Sequence, residues 1–231
     1  MDMRFLAAVI LSIGLSSSLC FGAEKVELKD LKDKESYSLG YQFGQSLKAQ
    51  GLDFNLEVYT AAIRDALAGT KPLLSQEEMQ KTVSDLQKRV TMARQKELKE
   101  QAQKNLSEGR AFLEANKTKE GVVTLPSGLQ YKILKAGEGK KPTEADTVEV
   151  NYRGTLIDGT EFDSSYKRNQ PATFPVKGII KGWAEALQLM PVGSKWQLFI
   201  PPELAYGERG AGQAIGPNAT LIFEVELLAI K

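Results

Sequence analysis

The chain contains no histidine in its 231 residues, and its only cysteine, Cys20, lies in an apolar leader. Zinc, haem and thiolate sites therefore lack their usual ligands, and a disulfide within a mature chain is excluded. The two commonest catalytic side chains are missing with them. A carboxylate site for a hard cation stays formally open, but no Asp-x-Asp-x-Asp-Gly loop occurs. Net charge is nearly absent too: the formal charge is +1, so no strong field steers the chain to nucleic acid or to an acidic membrane. Phosphate-binding and nucleophilic motifs also fail. "GERGAG", Gly207 to Gly212, is glycine-rich, but no strand leads into it, no helix follows it, and it has no Walker lysine. Ser164 and Ser165 have no histidine base, and no Ser-x-x-Lys motif includes them. Asp158, Glu161 and Asp163 alternate about a turn, where exposed acids are ordinary. Only Asp163 follows an aromatic, Phe162, in a spot that a fold could bury.

What is present divides into a leader and three regions. Arg4 and the amino end precede "FLAAVILSIGL", Phe5 to Leu15, which is too short for a comfortable membrane span. The small residues "SSSLCFGA" follow, as in an export signal. Residues 1–23 are read as that signal, with Gly22 and Ala23 both acceptable at its end. Leu19 before Cys20 is a poor match to a lipid-anchored signal. Residues 24–70 predict two short helices. Asp33 caps the first, which runs through "KESYSLGYQFGQSLKAQG" to Gly51, and Asn55 caps the second, which ends at Gly69. Tyr37, Gly40, Tyr41, Gly44 and Leu47 share one side of the first helix, whereas Leu39 and Phe43 lie toward another. A helix apolar on two sides needs more than one neighbour, and Gly40 with Gly44 lets another backbone come close. Some 45 residues rarely supply a self-sufficient core. Packing within one chain and a core shared with a second copy both satisfy this pattern.

Residues 71–118 predict one long helix. Ser75 with Glu78 forms a capping box, and no proline interrupts the run as far as Asn116. At 1.5 Å per residue it would be roughly 60 Å long. Met79, Val83, Leu86, Val90 and Ala93 alternate steps of four and three, but the seam thins beyond Ala93. The helix is read as mostly solvated, packed at its start, with Gly109 as its one interruption. Its mixed charges exclude a nucleic-acid stripe.

Residues 119–231 change texture. Leu129, Tyr131 and Ile133 alternate with polar residues, as do Val148, Val150 and Tyr152. Trp196, Leu198 and Ile200 form another apolar face, and Leu221, Phe223, Val225 and Leu227 a fourth. Asp158-Gly159 marks a hairpin. Period-two runs with tight turns predict an antiparallel sheet, and "KGWAEALQ" is the one helical stretch among them. The fold class is thus α+β: a carboxy-terminal antiparallel sheet wrapped around one short helix, joined by a long α-helix to an all-α amino-terminal module. A pocket should lie between the short helix and the sheet.

Within that region "VNYRGTLIDGTEFDSSYKRNQPATFPV", "IIKGWAEALQLMPVGSKWQLFIPPELAYGERG" and "GPNATLIFEVELLAI" resemble the FKBP-type peptidyl-prolyl isomerases, from about Gly121 to Lys231. The helices and leader resemble the exported bacterial subclass related to the macrophage infectivity potentiator. The resemblance implies a homodimer made through the amino-terminal helices, with a long helix carrying each catalytic domain outward. It implies proline-containing unfolded or exported proteins as substrates, macrolide inhibitors as ligands, no cofactor and no nucleic acid. It places the protein in the periplasm, either soluble or associated with the outer membrane.

By position, the resemblance makes Trp183 the platform under the proline ring. Tyr152, Phe162, Phe174, Ile179, Ile180 and Phe223 become apolar walls, with Ile215 in an overhanging loop. Tyr206 offers its hydroxyl to a substrate carbonyl, and Ile180 its backbone N–H. Asp163 is a carboxylate at the pocket edge that orients and does not shuttle protons, and Arg168 either pairs with it or is a solvated loop charge. Ala172 stands where some members carry an aromatic, and the short link "FPVKGII" alters the rim. Such an activity resolves the missing nucleophile, because turning an X-Pro bond breaks no covalent bond. A competing reading is a holdase-like chaperone that uses the cleft between two arms and barely catalyses. A third is a structural dimer with a vestigial pocket.

Overall fold

A computed structural model describes residues 26–53 and 55–231. The chain divides into two compact units, one ending at Pro72 and one spanning Leu73–Lys231. Residues 1–23, expected to be an export signal, and Cys20 within them lie outside the described residues.

The amino-terminal unit contains α1 (Leu31–Ala49) and α2 (Leu56–Ala68), and neither helix has a buried residue. Asn55 caps α2 through the Val58 N–H, and Gly69 closes it in the left-handed conformation at φ 67°, which glycine adopts without steric cost. The cap of α1 is Asp30, not Asp33. The Asp30 side chain accepts from the Asp33 N–H, and the Asp33 carboxylate accepts from the Lys29 N–H at 2.9 Å. Two acids three residues apart thus share one helix start, and the more amino-terminal one holds the cap. Phe43 of α1 stacks on Tyr59 of α2, with ring centroids 5.6 Å apart. An open groove on α1 is lined by Tyr37, Gly40, Tyr41 and Gly44.

The second unit opens with α3 (Gln76–Asn116), 41 residues long, whose start carries the Ser75–Glu78 capping box. The helix passes through Gly109 without a break. Its fully buried residues, Gly109 and Asn116, lie toward its end, whereas along its start Met79 and Val83 are exposed and Leu86 and Val90 half-buried. Gly109 is a point of close approach. A Cβ there would stand 2.3 Å from the Thr220 hydroxyl oxygen.

Seven antiparallel strands follow: β1 (Val122–Thr124), β2 (Gln130–Lys135), β3 (Thr147–Leu156), β4 (Glu161–Ser164), β5 (Ala172–Pro175), β6 (Lys195–Ile200) and β7 (Leu221–Ile230). They are ordered β1-β2-β6-β7-β3-β4, with β5 also paired to β3. The long central pair β3–β7 runs from Val148 opposite Ile230 to Leu156 opposite Leu221. The Asp158-Gly159 turn joins β3 to β4, with Gly159 at φ 87°. The short helix α4 (Lys181–Leu189) buries Gly182, Trp183, Ala186 and Leu187. It shares one core with Val148, Val150, Leu198, Ile200, Leu221, Val225 and Leu227.

Period two describes that face well but not the opposite one. Phe199 and Gln130, which alternation would expose, are both buried. The end of α3 covers them. The Phe112 ring lies 5.9 Å from that of Phe199. Gln130 accepts from Asn116 at 3.0 Å and donates to the Leu113 carbonyl at 2.9 Å. A buried amide with both ends bonded avoids the desolvation penalty of an orphan polar group. Ile133, read as inward, is exposed.

Candidate active site

Between α4 and the sheet lies a cavity of about 580 Å³. Its floor is Trp183, placed by the first turn of α4. The indole is 4% exposed yet lines the cavity. It meets Tyr152, Phe174 and Phe223 edge-on, at 5.3, 5.9 and 5.2 Å with interplanar angles of 85°, 89° and 81°. Edge-to-face rings are a favoured arrangement and hold one another in register. Two glycines make room for this cluster. At Gly182 a Cβ would come within 2.5 Å of Ile200, so the helix sits close against the sheet. At Gly154 of β3 a Cβ would come within 2.6 Å of Phe162 and 2.7 Å of Phe223. Those two rings pack edge-on at 5.4 Å.

Most of the lining follows strand alternation, but β4 departs from it: its register against β3 shifts between Gly154 and Thr155, and the adjacent Phe162 and Asp163 both reach the cavity. Tyr152 comes from β3, Phe162 and Asp163 from β4, Phe174 from β5 and Phe223 from β7. Ile179 and Ile180 come from the link into α4, and Tyr206 and Ile215 from the β6–β7 connection. The ten residues expected as platform, walls, donors and edge all line this one cavity, as do Gly178, Ala211, Gly212, Gln213 and Ala214. The Ile180 N–H has no backbone acceptor among the described residues. Tyr206 is exposed at the rim. Ala172, beside the Phe174 wall, does not line the cavity but packs against the core.

The polar edge is a three-residue cluster. The Tyr152 hydroxyl donates to Asp163 Oδ2. Arg168 donates from Nη1 to Asp163 Oδ1 at 2.5 Å and from Nη2 to the Tyr152 oxygen at 2.7 Å. Its guanidinium also lies 5.6 Å from the centre of the Tyr152 ring, within cation–π range. Burial pushes the Asp163 carboxyl up, but hydrogen bonds from Tyr152 and Arg168 and the guanidinium charge outweigh it, leaving the group below its usual range. Burial, followed by the bond to Asp163, pushes the Tyr152 phenol above its ordinary value. Asp163 is therefore ionised near neutrality and Tyr152 is protonated. Both are committed to one another, which suits orientation and not proton transfer.

Sequence reasoning read Tyr152 as a wall and missed its hydroxyl as the centre of this cluster. It also missed Gly154, whereas the loop read as overhanging the site does line the cavity through Gly212–Ala214. The signal for Tyr152 was its placement, by period two, on the same face as the Phe223 ring. Nothing local marks Gly154, because the rings that need its space come from β4 and β7.

Comparison with known proteins agrees with this geometry. The family described as FKBP-type peptidyl-prolyl cis-trans isomerase matches residues 138–228, and the domain amino-terminal to FKBP-type peptidyl-prolyl isomerase matches residues 32–133. The chain is 47% identical to the outer membrane protein MIP of Legionella longbeachae over 231 residues, covering 100% of this chain and 99% of that protein. It is 45% identical to the peptidyl-prolyl cis-trans isomerase Mip of Coxiella burnetii over 229 residues, covering 99% of each. The crystal structure of FkpA from Escherichia coli superposes with a TM-score of 0.69 at 40% identity, over 89% of this chain and 99% of that one. With both family domains matched in order and relatives aligned end to end, the chain belongs to the FKBP-type peptidyl-prolyl cis-trans isomerases.

Proposed function

We propose that the aromatic cavity is where this isomerase turns X-Pro peptide bonds, by holding the half-rotated amide more tightly than either planar form. The barrier arises from amide resonance and is about 18–20 kcal/mol in a peptide. The planar amide is polar and is stabilised by water, whereas the twisted one has less charge separation. A dry, ring-lined pocket therefore favours the twisted form, and each ~1.4 kcal/mol of that preference speeds the reaction about tenfold. Trp183 is the floor for the proline ring, with Phe162, Phe174, Ile179, Phe223 and Ile215 around it. The Ile180 N–H and the Tyr206 hydroxyl donate to substrate carbonyls, and Tyr152, Asp163 and Arg168 fix the polar rim. Macrolide immunosuppressants compete for the same cup. The observation that carries this reading is the Trp183 floor, enclosed edge-on by three rings and open to the cavity.

The helical module, residues 24–70, joins two copies of the chain. Residues 71–118 connect it to the isomerase domain, residues 119–231. The exposed Tyr37, Leu39, Tyr41 and Phe43 of α1 support that pairing. Substrates are unfolded proteins exported to the periplasm, and the dimer also acts as a chaperone, at the outer membrane or free of it.

Timing cis–trans relaxation of a proline peptide tests the site. Trp183→Leu should lower kcat/KM about tenfold or more, and Asp163→Ala by a smaller factor. Unchanged rates in both variants exclude this cavity. If the wild-type chain shows negligible catalysis while it and Trp183→Leu suppress aggregation equally well, the holdase reading is the better one.

A further inference from the structure

The roof of the cavity rests on the connecting helix. The loop from Gly207 to Asn218 is a closed unit: the Asn218 N–H donates to the Gly207 carbonyl at 2.8 Å, and Ala211 and Ile215 exchange bonds of 2.8 and 3.1 Å. At Gly210, φ is 63° and a Cβ would stand 2.3 Å from the Ile215 carbonyl oxygen, so the two sides of the loop touch. Its tip, Gly212 to Ile215, lines the cavity. Its base lies on α3. Asn105 Nδ2 donates to the Pro217 carbonyl at 2.8 Å. A Cβ on Gly216 would meet Gln101 Nε2 at 2.9 Å and Asn105 Nδ2 at 3.1 Å. Gln101, Asn105 and Gly109 are spaced by four, which places them on one helix face, and they meet Gly216, Pro217 and Thr220 in turn.

Resting on the isomerase reading above, we propose that Asn105 is a positioning residue for the active site: it fixes the height of the loop tip over the cavity. The helix, which does not line the cavity, then sets the room left for the residue that precedes proline. Pro217 has a fixed φ, which removes one of the backbone torsions between the clamped carbonyl and Ile215 two residues away, and Gly216 between them is held close against Gln101 and Asn105. A loop closed by its own hydrogen bonds moves as a body, and a change at its base reaches its tip.

The test uses the full chain and two peptides, one with leucine and one with alanine before proline. Asn105→Ala should lower kcat/KM for the leucine peptide about two- to tenfold, the range of one hydrogen bond, mainly through KM, with a smaller change for the alanine peptide. Amide resonances of Gly212, Ala214 and Ile215 should shift in the ligand-free protein. Gly216→Ala, whose methyl group crowds the Gln101 and Asn105 amides together, should do the same, and Asn105→Gln should recover part of the loss. An unchanged leucine-to-alanine ratio in both variants, with unmoved tip resonances, overturns the proposal even if activity falls uniformly. If the wild-type chain turned over neither peptide, the isomerase reading would fail, while the resonances would still decide whether the clamp exists.

Discussion

Leu39 and Leu198 are the same side chain in two unlike regions. In the carboxy-terminal sheet Leu198 is fully buried, whereas in α1 Leu39 is 70% exposed, beside the exposed Tyr37, Tyr41 and Phe43. The sheet domain satisfies its apolar residues within one chain, around α4 and under the end of α3. The helical unit does not, since α1 and α2 have no buried residue at all. One region is thus a finished fold with an open cavity, whereas the other leaves its apolar side chains uncovered within the single chain. Apolar side chains exposed on two sides of a short helix are costly in water unless something covers them, and the proposed second copy is the simplest cover with matching chemistry.

The strongest way to break this contrast is to remove the same atoms from both places. Leu198→Ala should cost about 2–5 kcal/mol of unfolding free energy in the sheet domain, as buried leucines do, at any protein concentration. Leu39→Ala should leave the sheet domain's denaturant transition unmoved. Its effect should appear in the helical unit, as a lower midpoint that rises with protein concentration. Urea titrations at two concentrations, followed by tryptophan emission for the sheet and far-ultraviolet dichroism for the helices, separate the two. If Leu39→Ala shifts nothing at either concentration, that face is merely solvated and the shared core is refuted.

A smaller effect with a distinctive sign comes from Gly40. In the single chain a Cβ at Gly40 or Gly44 meets nothing within 4 Å. For a lone helix, replacing a mid-helix glycine by leucine should stabilise by about 0.7 kcal/mol. If two backbones approach closely along the groove lined by Tyr37, Gly40, Tyr41 and Gly44, the same change destabilises the pair. Gly40→Leu is expected to shift the protein toward monomer in light scattering at low micromolar concentration, while isomerisation of short peptides is retained. A gain in helical stability without loss of dimer would place the interface elsewhere.

The same division explains what the sequence made readable. Local chemistry was legible: Asn55, Gly69 and the Ser75–Glu78 box act within a few residues. So was the core face of each strand, because period two is local as well. Phe199 and Gln130 were not, since alternation assumes one covered face and the end of α3 covers the other. Nor did the Met79–Ala93 spacing reveal that α3 docks through Gly109, Phe112 and Asn116. In the cavity, the aromatic residues stood out by type and by family resemblance. Gly154 and the Tyr152 hydroxyl are intelligible only once β3, β4 and β7 are side by side.

The faintest expected effect concerns the polar rim. Asp163 has a folded pKa below its usual value of 3.8, so its ion pair and hydrogen bonds favour folding when the carboxylate is charged. That contribution is complete above the unfolded pKa and is lost as the pH falls through the lower folded one. Asp163→Asn removes the charge at every pH. The wild-type protein should therefore melt above the variant from about pH 5 upward, and the gap should close as the solution is acidified below the ordinary aspartate range. Other carboxylates titrate alike in both proteins and cancel in the difference. Both side chains are substantially exposed, at 51% for Arg168 and 43% for Asp163, so solvent weakens the pair and the gap should be a few degrees at most. A gap that widened toward acid pH would mean that Asp163 is held protonated, and the orienting role of its charge would have to be abandoned.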